Sequence, residues 1–209
     1  MRFDGAVPPV AGDEGVRALS AVHARQIHRD PWPDFAAFDK EAYAEPLRRQ
    51  AADLWRRRSQ MEYASVAQFT RISAELADHL VPLPWHGVFA RIITDEVRHA
   101  EICAQLARAL HPEAVADATY ALPPWPWPKR PTGESWEEVA VWAAHALLVS
   151  SCLGEALSVP SYEALVVVST DRIVTETLQQ IRKDEPLHAT FGWEIVQALP
   201  KLLTGSTDV

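Results

Sequence analysis

Four stretches of this chain carry apolar residues at helical spacing, and acidic or imidazole side chains fall within each stripe instead of opposite it. The first reads Trp55, Glu62, Val66, Phe69, Leu76, and the second Phe89, Ile92, Glu96, His99, Cys103, Leu106. The third reads Val141, Leu148, Cys152, Glu155, Val159, Tyr162, and the fourth Val174, Leu178, Ile181, Glu185, His188, Ile195. A solvated Glu belongs on the face away from the stripe. The pattern therefore turns four carboxylates and two imidazoles inward, where an unpaired charge is costly.

The expected fold is all-α. Helix one should run from near Pro46, a residue tolerated at a first helical position, to about Leu80, and helix two from about Trp85 to Leu110. Ser135 with Glu138 makes a capping box that opens helix three, and helix four is expected over about Asp171 to Leu199, after a stop and N-cap at Ser169-Thr170-Asp171. The breaker Leu80-Val81-Pro82-Leu83-Pro84 separates the first pair. Ala121-Leu122-Pro123-Pro124-Trp125-Pro126-Trp127-Pro128 cannot be helical, because each Pro removes a donor and restricts its predecessor, so it reads as a long crossover between helices two and three. Pro160 and Pro186 fall within helical periodicity that continues past both, which predicts kinks or bulges at a cost of about 3 kcal/mol each.

The interrupting residues form a repeat. Asp95-Glu96-Val97-Arg98-His99 and Asp184-Glu185-Pro186-Leu187-His188 share Asp-Glu-x-x-His, and each follows a lone Glu, Glu62 or Glu155, some thirty residues upstream. Glu and His three apart share one helix face. A single copy is a weak signal; two copies, each with its Glu, match the ligand set that four facing helices offer to two metal ions. Glu62 and Glu96 are equidistant from residue 79, and Glu155 and Glu185 from residue 170, so antiparallel turns at those points would bring each pair level.

Composition narrows the class. The 209 residues suffice for one domain with a substantial core, divided as an N-terminal extension over 1–44, a helical domain over 45–199 and a tail over 200–209. A net charge of −8 without long basic runs argues against nucleic acid, and Arg56-Arg57-Arg58 reads as a solvated helix face. Two cysteines fit a reducing compartment and exclude a cysteine-rich iron–sulfur module. Met1 to Gly15 is unlike a signal peptide, and the apolar run Val139 to Gly154 is short, holds His145 and leads into Glu155, so no membrane span is expected and the protein is read as cytoplasmic.

Glu62 followed by Asp95-Glu96-Val97-Arg98-His99 resembles the Glu…Asp-Glu-x-Arg-His signature of ferritin-like di-iron carboxylate proteins, the group of multicomponent monooxygenase hydroxylases, acyl-carrier-protein desaturases, ribonucleotide reductase small subunits and arylamine N-oxygenases. The second copy departs from it, with Leu187 at the Arg position. The resemblance implies a ferritin-like four-helix bundle with one long crossover. It implies two iron ions, one on Glu62, Glu96 and His99, the other on Glu155, Glu185 and His188, with Glu96 and Glu185 bridging; manganese in one position is the alternative. It gives Asp95, Asp184 and Arg98 supporting roles behind the ligands and no catalytic residue beyond the ligands. Cys103 stands where the reductase subunits carry a radical tyrosine.

The function this implies is a non-haem di-iron oxygenase or oxidase that uses dioxygen to hydroxylate or N-oxygenate a small organic substrate. Trp55, Ser65, Val66, Phe69, Cys103, Ser158 and Val159 would line its mostly apolar pocket. A reductase or ferredoxin would supply electrons, and a homodimer is expected. The alternative is a bacterioferritin-like ferroxidase or a rubrerythrin-like peroxide-protective protein, although the Pro-Trp crossover and the helical prolines suit a repetitive cage poorly.

Overall fold

A computed structural model describes residues 17–28, 30–113 and 135–204. The protein is all-α: among the described residues every regular element is helical. Helix α1 spans Arg17–Ile27, α2 Glu45–Ala77, α3 Leu83–Leu110, α4 Trp136–Val168, α5 Arg172–Arg182 and α6 Glu185–Leu203. Two short 3-10 turns, Phe35–Ala37 and Lys40–Ala42, precede α2; each is opened by an Asp side chain, Asp34 or Asp39, that accepts from the backbone two residues on.

The expected boundaries of α2 and α3 hold to within a few residues. Between them Leu80 takes a positive φ of 55°, the left-handed step that ends a helix when no glycine is at hand. The Ser135–Glu138 capping box opens α4, with both of its reciprocal hydrogen bonds formed. Asp171 accepts from the backbone amides of Ile173 and Val174 and caps α5. The expected crossover at Ala121–Pro128 and the segment Met1–Gly15 lie outside the described residues.

Three expectations require correction. Helix four is two helices: the chain breaks at Lys183–Asp184, and Pro186 sits in the first turn of α6, where a missing amide hydrogen leaves no bond unmade. That helix also runs on through residues assigned to the tail, to Leu203. In α4 the helical spacing of the apolar stripe places Val141 inside; Val141 is exposed, and Ala140, Trp142, Ala143, Ala146 and Leu147 are buried instead. The reason is an eight-residue π-helical segment, Leu148–Glu155, whose wider turn shifts the buried face relative to Glu155. Pro160, by contrast, does lie inside helix, as expected.

The chain forms two compact units. Among the described residues the first draws on those up to Val66, those from Thr94 through the end of α3, and Ser169–Thr177; the second draws on Ala67–Ile93, on α4, and on residues from Leu178. The core of the first contains Phe38, Ala52, Ala104, Leu106, Leu110 and Ile173, with the Phe38 and Tyr43 rings stacked at 5.8 Å. Arg48 donates to the carbonyl of Leu110, satisfying one of the acceptors left open at the end of α3. In the second unit, side chains of α2, α3, α4 and α6 share one core, with Phe89 and Phe191 edge to face at 5.0 Å.

Candidate metal centre

In the first unit, the hairpin of α2 and α3 brings Glu62 level with Glu96 and His99, as the equal spacing about residue 79 predicts. One ligand atom from each of the three lies within 4.8 Å of the other two. Glu96 and His99 are buried, and Glu62 nearly so. The Nδ1 atom of His99 stands 4.0 Å from Oε2 of Glu62, too far for a hydrogen bond and at the upper limit of what two ligands held about 2 Å from one ion can span. The other Glu62 oxygen, Oε1, lies 3.5 Å from the Arg58 guanidinium, which offsets part of its charge. Arg56 and Arg57 face Asp53 instead, and Arg56 foremost holds its carboxyl below the usual range.

Two carboxylates and one imidazole suit a divalent first-row transition ion, since oxygen and nitrogen donors of this kind bind iron, manganese or zinc. This buried carboxylate–histidine cluster has the donor set of a metal site.

Around it, Asp95 and Arg98 are fully buried. Arg98 donates through Nε to the carbonyl of Ile27 at 3.0 Å, which fastens the end of α1 to α3. His23 of α1 meets the buried Glu101 at 2.8 Å, and Gln105 donates to the other oxygen of that carboxylate at 3.0 Å. The N-terminal extension is thus tied to the helix that carries Glu96 and His99. Neither the role of Ile27 nor the burial of Glu101 was readable from the sequence, because Glu101 has no distinguishing spacing. Of the residues expected to line a pocket here, Cys103 is buried, while Trp55, Ser65 and Val66 are half-buried.

In the second unit, Glu185 and His188 are buried and Glu155 is half-buried. The Ser158 hydroxyl lies 2.7 Å from the carbonyl of Glu155 and 2.6 Å from Oε2 of Glu185, so it links α4 to α6 at the level of both carboxylates. Ser158, expected as a pocket wall, therefore orients an expected ligand; Val159 beside it is half-buried. Asp184 lies 3.3 Å from the Arg91 guanidinium. The ring of His188 meets the edge of the fully buried Phe69 at a centroid distance of 6.5 Å.

Two residues outside the expected set fix this part of α6. Ser151 is fully buried and donates through Oγ to the carbonyl of His188. One turn further along α6, Gly192 lies against the π segment so closely that a Cβ there would stand 2.6 Å from Ser151 Cβ and 3.1 Å from the amide nitrogen of Cys152. The π turn has its own requirement: a Cβ on Gly154 would come within 3.2 Å of the Val149 carbonyl, five residues back. Adjacent serines followed by Gly154 in an otherwise apolar helix are the sequence cue to such an irregularity.

Comparison of the chain with protein-family models, with curated proteins and with solved structures finds no match.

Proposed function

We propose that this chain is a non-haem di-iron oxygenase or oxidase of ferritin-like architecture, with the connection between α3 and α4 as its long crossover. The observation that carries the reading is the convergence of Glu62, Glu96 and His99 in a largely buried position. The repeat of the same ligand types at the same spacing in Glu155, Glu185 and His188 supports a second ion.

Iron held there would supply the electrons and the open coordination positions that dioxygen activation needs. The protein contributes charge, orientation and exclusion of water. Glu62 and Glu96 provide the negative charge that a divalent ion requires, and His99 a neutral nitrogen donor. Ser158 donates to one oxygen of Glu185 and so orients that carboxylate, and Ser151 sets the backbone from which His188 projects. Phe69 and the apolar core around it keep water from the His188 side. Val66 in the first unit and Val159 in the second are each half-buried and four residues beyond a ligand Glu. Electrons would come from a reductase or ferredoxin in the cytoplasm.

The test is anaerobic loading with ferrous iron, metal analysis, and stopped-flow absorption on mixing with dioxygen, followed by product analysis with arylamines, fatty acyl groups and aromatic acids. We expect about two irons per chain. Glu96→Ala should lower the content and Glu75→Ala should leave it unchanged. A reproducible stoichiometry near zero would overturn the metal assignment. Rapid deposition of ferric mineral, with oxygen consumption indifferent to every organic compound, would overturn the oxygenase reading in favour of iron handling.

A further inference from the structure

Between Ala156 and Val168, Tyr162 is the one buried residue, although the segment is almost entirely apolar. Leu157, Val167 and Val168 are 68, 83 and 70% exposed, and Leu165 is exposed as well. Val149 and Leu153, at 46 and 48%, extend the surface along the π segment, since 149, 153 and 157 follow one another at about one turn. Isolated exposed hydrophobics are ordinary, but a run of this extent along one helix marks an interaction surface.

We propose that this strip of α4 is an isologous interface with a second copy of the chain. Charge favours that occupant. Each copy carries a net charge of −8, so two copies repel across most of their surface, whereas α4 has no Lys or Arg and its apolar run from Val149 to Val168 holds two glutamates, the half-buried Glu155 and the exposed Glu163, which faces Arg182 at 3.5 Å. An apolar patch nearly free of charge is complementary to itself. A helix lying on a lipid surface instead carries Lys and Arg on its polar face, and there are none here. Length and composition would let Trp136–Val168 span a membrane, with a mean hydropathy of 1.4 in its most apolar window. Yet 44% of that window is buried inside the protein, and Trp142, Ala146, Leu147 and Cys152 belong to its interior.

Size sets the strength. The strip is about 30 Å long and about 10 Å wide. Two such surfaces would bury on the order of 1,000 Å² in total, at the lower bound for a specific interface, so the dimer should be weak, dissociating in the micromolar range.

Sedimentation velocity of the full chain from about 1 to about 100 μM tests this directly. The wild type should pass from monomer to dimer over that range. Leu157→Glu, which sets like charges against each other, should remain monomeric throughout with an unchanged helical circular dichroism spectrum. Val168→Glu serves the same purpose should the first variant fail to fold, and Leu54→Glu, exposed on α2, should dimerise as the wild type does. A wild type monomeric at every concentration would overturn the proposal, as would a dimer indifferent to both glutamates. So would flotation of the wild type, but not of Leu157→Glu, with phosphatidylcholine or phosphatidylcholine–phosphatidylserine vesicles.

Discussion

Replacing Gly192 by alanine adds one methyl group where α6 meets the π segment, and its effect can be worked from the geometry. The new Cβ would stand 2.6 Å from Ser151 Cβ and 3.1 Å from the Cys152 amide nitrogen, closer than carbon atoms tolerate. Neither neighbour is the far end of a flexible side chain, so the helices themselves must part. Overpacking of this kind costs about 1–3 kcal/mol, and a contact to backbone and Cβ belongs near the top of that range. Alanine returns about 1 kcal/mol through its better helix propensity. The net loss should be about 2 kcal/mol, or about 4–8 °C in Tm for a chain of this size. Urea unfolding of the metal-free protein measures it. The steric origin is tested in a second background: Ser151→Gly removes both the Cβ and the Oγ that block the methyl and leaves only the 3.1 Å approach to the Cys152 amide, so Gly192→Ala should there cost much less than in wild type. Ser151→Ala keeps the offending Cβ and should give little relief. A Gly192→Ala protein as stable as wild type would refute the reasoning, as would the same loss in the Ser151→Gly background.

Other outcomes follow from single contacts. Arg98→Met keeps the length of a fully buried side chain but removes the hydrogen bond to Ile27; the metal-free protein should lose about 2–3 kcal/mol, and trypsin should cleave faster at Arg25 because α1 is no longer fastened. Burial raises the Cys152 thiol above its ordinary value of 9.0. A group whose folded value is raised contributes stability that is complete below the unfolded value and lost as pH rises through the folded one. Unfolding free energy should therefore fall, as pH rises above the ordinary thiol value, by more in wild type than in Cys152→Ala, and the native thiol should resist Ellman's reagent until urea exposes it.

Much of the local architecture was legible in the sequence because it depends on neighbours along the chain. The capping box at Ser135 and Glu138 needs only a hydroxyl and a carboxylate three residues apart. The stop after Ala77, the Asp171 cap and the extent of α2 and α3 likewise follow from residue types at short range. Even the meeting of Glu62 with Glu96 and His99 was readable, since two helices joined by a short turn at residue 79 have their register set by counting. The six-residue ligand pattern of the proposed centre belongs to the same level, being a matter of spacing.

What the tertiary structure alone decided depends on partners distant in sequence. The π-helical segment 148–155 is seated by Ser151 on the His188 carbonyl and against Gly192, and its wider turn moved Val141 out of the core. Pro186 reads in the sequence as a kink within one continuing helix, whereas the break at Lys183–Asp184, beside the Arg91–Asp184 contact, makes it the first turn of a new one. Arg98 reaches Ile27 across 71 positions of chain, and Ser158 reaches Glu185 across 27. Periodicity reports which face of a helix turns inward; it carries no information about which atom waits on the other side.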